Sequence, residues 1–175
     1  MMIAWPKKMT SLGILISLLL FCSNAVAAEK YGICGFWAAH HGPVFSLHIE
    51  RAFHVGVDFK LCEREEPGRS FLLVTRDPDN RNQVDDPIKI PLNDATHQKL
   101  LTLYDNALEY NVKDVAGGLD GSSWCLETWR GSNHSKACFW SPGLDSEARR
   151  LTGLEKLGRE LWSIAAIEPK DGPLY

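Results

Sequence analysis

From Phe45 to Leu61 the chain alternates between apolar and polar positions. Phe45, Leu47 and Ile49 fall on one side, with Ser46, His48 and Glu50 on the other. After a short link at Arg51-Ala52, Phe53, Val55, Val57, Phe59 and Leu61 oppose His54, Gly56, Asp58 and Lys60. A period of two belongs to strands with one side on a core and the other in water. The two runs are therefore expected to pair as a hairpin. Ser70 to Arg76 (SFLLVTR) is apolar on both sides and predicts a third, more central strand. Asp77 to Asp86 reads as a loop. Ile88, Ile90 and Leu92 alternate again and predict a short fourth strand, which Pro87 and Pro91 confine to a sheet edge.

The period then changes. Leu100, Leu101, Tyr104 and Leu108, with His97, recur at helical spacing behind a capping residue at Asn93 or Asp94, and the pattern fades near Asn111. Asp114 to Ser123 (DVAGGLDGSS) is a glycine-rich loop without the spacing of a nucleotide-binding fingerprint. Ser123 to Trp140 then fits one hairpin register. With Gly131-Ser132 as the turn, Cys125 faces Cys138, Glu127 faces Lys136 and Leu126 faces Ala137. Cysteines, charges and apolar side are satisfied together. Beyond Pro142-Gly143, Leu151, Leu154, Leu157, Leu161, Ile164 and Ala165 form one stripe, predicting a second helix from about Asp145 or Ser146 that ends before Pro169. The expected fold is α+β: an antiparallel sheet of about six strands with two helices on one face.

Residues 1–28 follow another logic. Lys7 and Lys8 precede an apolar run from Leu12 to Cys22, and Ala25-Val26-Ala27-Ala28 closes the segment, which holds no acidic residue. This is the order of a cleavable secretory signal, and the run is too short to span a membrane. Phe21 before Cys22 is too bulky for lipid attachment. Cleavage after Ala27 or Ala28 is expected, with residues 29–175 as one domain. The 22 acidic residues then exceed the 17 basic ones that remain when Lys7 and Lys8 leave the 19, a net charge of −5. That balance speaks against nucleic acid and anionic lipid as partners.

Cys34, Cys62, Cys125 and Cys138 remain, an even set in an exported chain. The hairpin register favours Cys125–Cys138, leaving Cys34–Cys62. Zinc is the competing reading, but no C-x-x-C occurs and no histidine stands at ligand spacing. His40 and His41 precede a Gly-Pro turn, and Glu63, Glu65 and Glu66 lie beside Pro67-Gly68. Both groups read as exposed. Ser122 and Ser123 are not set in a nucleophile elbow.

Two surfaces remain as candidates. His48 and His54, with Glu50 and Asp58, lie on the polar side of adjacent strands, an arrangement fit for a metal or acid–base chemistry, or simply for water. Trp129 and Trp140 fall on the same side as the hairpin disulfide and opposite Trp124. Either this face is open, as an aromatic surface for a partner, or a loop such as residues 29–43 covers it.

The run Leu119-Asp120-Gly121-Ser122-Ser123-Trp124-Cys125-Leu126-Glu127, followed by Phe139-Trp140-Ser141-Pro142 and a helix ending in a Leu/Ala stripe, resembles small, often exported bacterial proteins with a D-G-x-x-W-x-L-E strand and a [WY]-x-P close. The resemblance spans the last third of the chain and implies a fold module without an assigned activity. Asp120 and Gly121 would turn into the strand, Trp124 would anchor the core and Glu127 would pair across strands. The sequence thus points to a periplasmic or secreted, non-catalytic protein without cofactor or metal. It would bind a protein partner in the cell envelope, as an immunity protein or an inhibitor of an exported toxin or cell-wall hydrolase would. The expected contact residues are Trp129, Trp140, His48, Glu50, His54 and Asp58. The alternative is a small hydrolase or metal-dependent enzyme using the His/carboxylate cluster.

Overall fold

Strand β1 (Phe45–Arg51) lies inside a six-stranded sheet and pairs on both sides, with β2 (His54–Cys62) and with β5 (Ser122–Arg130). In the computed structural model the described residues are 34, 43–63, 70–77, 86–110, 114–130, 133–167 and 174. The leader, His40, His41, Glu65, Glu66 and most of the Asp77–Asp86 loop lie outside them. β3 (Phe71–Asp77) and β4 (Ile88–Pro91) continue the meander, and β6 (Asn133–Trp140) forms the other edge, giving the order β4-β3-β2-β1-β5-β6. All five pairings are antiparallel. The α+β architecture is the expected one.

The apolar side of the alternation becomes the core. Phe45, Leu47, Ile49, Val57, Phe59 and Leu61 are buried beneath helices α1 (Asp94–Ala107) and α2 (Thr152–Ile164), which supply Leu100, Tyr104, Leu154, Leu157 and Leu161. The Asn93 side chain caps α1 by accepting from the Thr96 N–H at 2.8 Å. Trp124 is the largest fully buried side chain, and its indole N–H donates to Ser122 Oγ at 2.7 Å, so no buried donor is left unpaired there. The ring lies against α2 at Gly158, where a Cβ would enter the indole. Only glycine lets helix and strand approach this closely.

Three expectations need correction. Phe53 does not join the apolar side of β2. It is the second residue of the Ala52-Phe53 turn, with Arg51 opposite His54. A register shift between Ile49 and Arg51 separates this end from the regular alternation, and His54, Val55 and Gly56 are all half-buried. α2 starts at Thr152, not near Asp145. Asp145 and Arg150 adopt left-handed backbone (φ 51° and 57°), which a continuous helix excludes, and residues 142–150 form successive turns. β3 is not central but second from the edge. Its first four residues are all apolar because both sides are covered there: Leu72 and Val74 face the helices, while Phe71 and Leu73 join Cys62 and Cys34 in a second buried cluster.

Both disulfides form as expected, Cys34–Cys62 and Cys125–Cys138. The second joins directly opposed residues whose Cα atoms are 4.0 Å apart, and the hairpin register runs through Glu127↔Lys136 and Leu126↔Ala137 as the sequence requires. No helix among the described residues is long and apolar enough to cross a membrane.

Candidate binding surface

The sheet face away from the helices is built from the even positions of β1 and β2 and the odd positions of β5. Ser46 stands between Lys60 and Glu127, and His48 between Asp58 and Cys125. Charges here are paired along and across strands. Asp58 meets Lys60 at 2.9 Å, and Glu127 takes Lys136 on one oxygen at 2.7 Å and His134 on the other at 3.3 Å. The Lys136 ammonium bonded to Glu127 holds that carboxyl below the usual carboxylate range, outweighing burial, and His134 adds to the effect.

Of the four residues expected to cluster, His48 and Asp58 are direct cross-strand partners. Glu50 is exposed and opposite Ser123, and His54 lies beyond the register shift opposite Arg51. Arg51 sits over the Trp162 ring of α2, on the helix side of the sheet. The alternation that put His48, His54 and Asp58 on one face therefore breaks at the bulge. Among the described residues no group of three or more His, Cys, Asp or Glu is disposed to hold a metal ion.

The two tryptophans occupy opposite ends of the β5–β6 hairpin. Trp129 faces His134 and stacks on its ring at 5.0 Å, whereas Trp140 faces Ser123, six positions further along β6. At strand rise that separates them by about 20 Å, so they do not form one patch. Part of this face is also covered, since Cys34 lies on it against Cys62 and Phe71.

Trp140 belongs to a different feature. At its end of the sheet a cleft of about 530 Å³ opens between Ala52, Phe53, Gly121, Trp140, Leu144 and Leu174, with Asp120 and Arg159 at its polar margin. The glycine-rich loop explains itself here: a Cβ at Gly118 would overlap the Trp140 ring, so the loop lies flat against the indole. Three cleft residues, Phe53, Gly121 and Ser141, have left-handed backbone (φ 64°, 132° and 38°). Phe53 is 90% exposed and Leu144 52%.

One side chain fixes this end. Arg149 spends all five N–H donors: Nε and Nη2 grip the two oxygens of Asp114 at 3.0 and 2.7 Å. Nη1 donates to the carbonyls of Ser141 and Leu144 at 2.9 and 2.8 Å, and Nη2 also to that of Trp140 at 2.7 Å. The glycine loop, the end of β6 and the turns before α2 are thereby held together. The Arg149 guanidinium hydrogen-bonded to Asp114 lowers that carboxyl's pKa, against the opposing effect of burial.

Sequence reasoning named Trp140 but missed Phe53, Leu144, Gly118 and the Arg149–Asp114 pair. The link falls one residue later than alternation suggested, at Ala52-Phe53 and not Arg51-Ala52, and no local pattern announces a pair thirty-five residues apart. No family model matches the chain, and no curated protein is significantly similar to it.

Proposed function

We propose that the protein is an exported, non-catalytic binding protein that receives an apolar side chain of a protein partner in the cleft beside Phe53. An immunity protein, or an inhibitor of an exported toxin or cell-wall hydrolase, is the form of this role that we favour, and the periplasm or the medium is its place of work. Two disulfides in a single small domain fit such a compartment.

Phe53 carries the reading. Left-handed backbone costs a non-glycine residue about 1–2 kcal/mol, and this residue also holds a phenyl ring in water. Both penalties fall on the free protein, and a partner that covers the ring recovers the second. The surrounding walls are preorganised by the Arg149 bonds, which lowers the entropic cost of binding.

Phe53→Asn separates this reading from a structural role, because asparagine tolerates the left-handed conformation and removes the ring. Envelope proteins retained stoichiometrically by the immobilised parent would be identified, and the affinity of each measured by calorimetry. The variant is expected to melt higher than the parent and to bind the partner at least about tenfold more weakly, as loss of one aromatic anchor implies. Equal affinity would remove the cleft from the interface. Trp129→Ala tests the sheet face in the same assay without disturbing the cleft. Trp140→Ala does not separate the two, because the glycine loop rests on that ring.

A further inference from the structure

The two edges of the sheet are unlike. β4 has four residues, is preceded by Pro87 and ends at Pro91. β6 has eight and contains no proline. Prolines and short length protect an edge from further pairing, as do charged side chains that stand out from it. β6 carries two such side chains, but both turn inward over β5. The Lys136 ammonium lies on Glu127 at 2.7 Å, and the His134 ring stacks on Trp129 with its Nε2 3.3 Å from Glu127. Neither shields the backbone.

The direction of that backbone follows from two observations. The Cα atoms of Cys125 and Cys138 are 4.0 Å apart, the narrow spacing of a pair that exchanges no ladder bonds. The Ser141 N–H, three positions on, donates inward to Ser122 O at 2.6 Å. Odd positions of β6 therefore bond to β5, and the N–H and C=O of His134, Lys136 and Cys138 point outward. Trp140 O also points outward and is taken by Arg149, which closes the row. Among the described residues no hydrogen bond reaches the three outward pairs. Beside them runs a groove lined by Tyr110, Asp114, Lys136, Ala137 and Phe139.

We infer that the outer edge of β6 binds an extended segment of a protein partner as a seventh strand, with an acidic residue opposite Lys136. The charge follows from the edge residue itself: Glu127 holds the half-exposed Lys136 ammonium from the β5 side, and a carboxylate on an added strand would face the same ammonium from the other side. A second copy of this chain is the poorer occupant. A two-fold pairing that engages all three outward residues centres on Lys136 and sets the two like charges against each other. The inference rests on the reading of the protein as a binder and uses a surface separate from the Phe53 cleft.

The test uses protein purified from cells expressing the full chain. The probe is a capped nine-residue peptide alternating threonine and valine, with glutamate at its centre. Backbone amide exchange is followed by NMR. Millimolar peptide is expected to slow exchange at His134, Lys136 and Cys138 by about tenfold, the protection given by ligand at about ten times its Kd. The same peptide N-methylated at alternate residues should have no effect, and replacing its glutamate by lysine should weaken protection. Lys136→Pro, which removes one outward N–H, should abolish it. The methylated peptide decides the matter if that variant does not fold. Phe53→Asn should leave protection unchanged, so failure here is separable from failure of the cleft. Unslowed amides, equal protection by the methylated peptide, or protection that grows with protein concentration alone and tracks a dimer would each overturn the proposal.

Discussion

Replacing Arg149 by lysine tests how far one side chain organises the end of the domain that carries the cleft. Lysine keeps the charge and has three donors, whereas Arg149 makes five bonds, two of them to Asp114 and three to backbone carbonyls. At least two acceptors must lose their partner. The Arg149 and Asp114 side chains are 12% and 7% exposed, so water replaces those bonds poorly. At about 1–3 kcal/mol for each unsatisfied acceptor, the expected loss is about 2–6 kcal/mol. For a domain of this size that lowers Tm by about 5–15 °C. Urea unfolding followed by tryptophan fluorescence measures the loss, and amide exchange shows where it falls. Residues 141–150 and 114–121 should lose protection before the strands do. A change below about 1 kcal/mol, with exchange in both segments unaltered, would show that the five bonds do not hold this end together.

The same pair sets a pH dependence. The carboxyl of Asp114 is held below its ordinary value in the folded protein by Arg149, so its contribution is complete above about pH 4 and is lost as pH falls through the lowered folded pKa. The stability gap between parent and Asp114→Asn should therefore be constant at neutral pH and close in acid; a gap unchanged by acid would refute the assignment. Gly158→Ala should be destabilising by about 1–3 kcal/mol, the reverse of the usual gain for this exchange in a helix, because the added Cβ enters the Trp124 ring; thermal melting gives the sign directly. Replacing Cys125 and Cys138 together by serine should cost about 3 kcal/mol in denaturant unfolding, from loss of a loop thirteen residues long.

Much of the fold was legible because its signals were redundant. The β5–β6 register satisfied an ion pair, an apolar pair and a cysteine pair at once, and no neighbouring register does so. The regular parts of β1 and β2 were equally readable, since a slip by one residue would invert every side chain. What escaped was set by backbone conformation. The Ala52-Phe53 turn with its register shift displaced Phe53 and His54 from the faces their parity assigned. Left-handed Asp145 and Arg150 delayed α2 by about two turns, though nothing in that segment's composition forbids a helix. The glycine loop was recognised as a loop, but its contact with Trp140 depends on tertiary approach and leaves no periodic trace.

The placing of the disulfides has a consequence for how the molecule can come apart. Cys34–Cys62 joins Cys34 to the end of β2, and Cys125–Cys138 fastens β5 to β6. Neither crosses the junction of β1 with β5, which joins strands about 70 residues apart in the chain at its nearer end. Along that line the two parts of the sheet are held by ladder bonds, by the contact of α1 with α2 and by the packing of Trp162 on Arg51 and Phe59, with no disulfide across it. Neither cross-link opposes opening along this line: were it to open, β5, β6 and α2 would leave as one unit with both disulfides intact. Two molecules opened in this way present identical complementary edges, each able to accept the other's hairpin and helix. Domain exchange is the assembly error that oxidation does not prevent here, and concentration, not redox state, governs it.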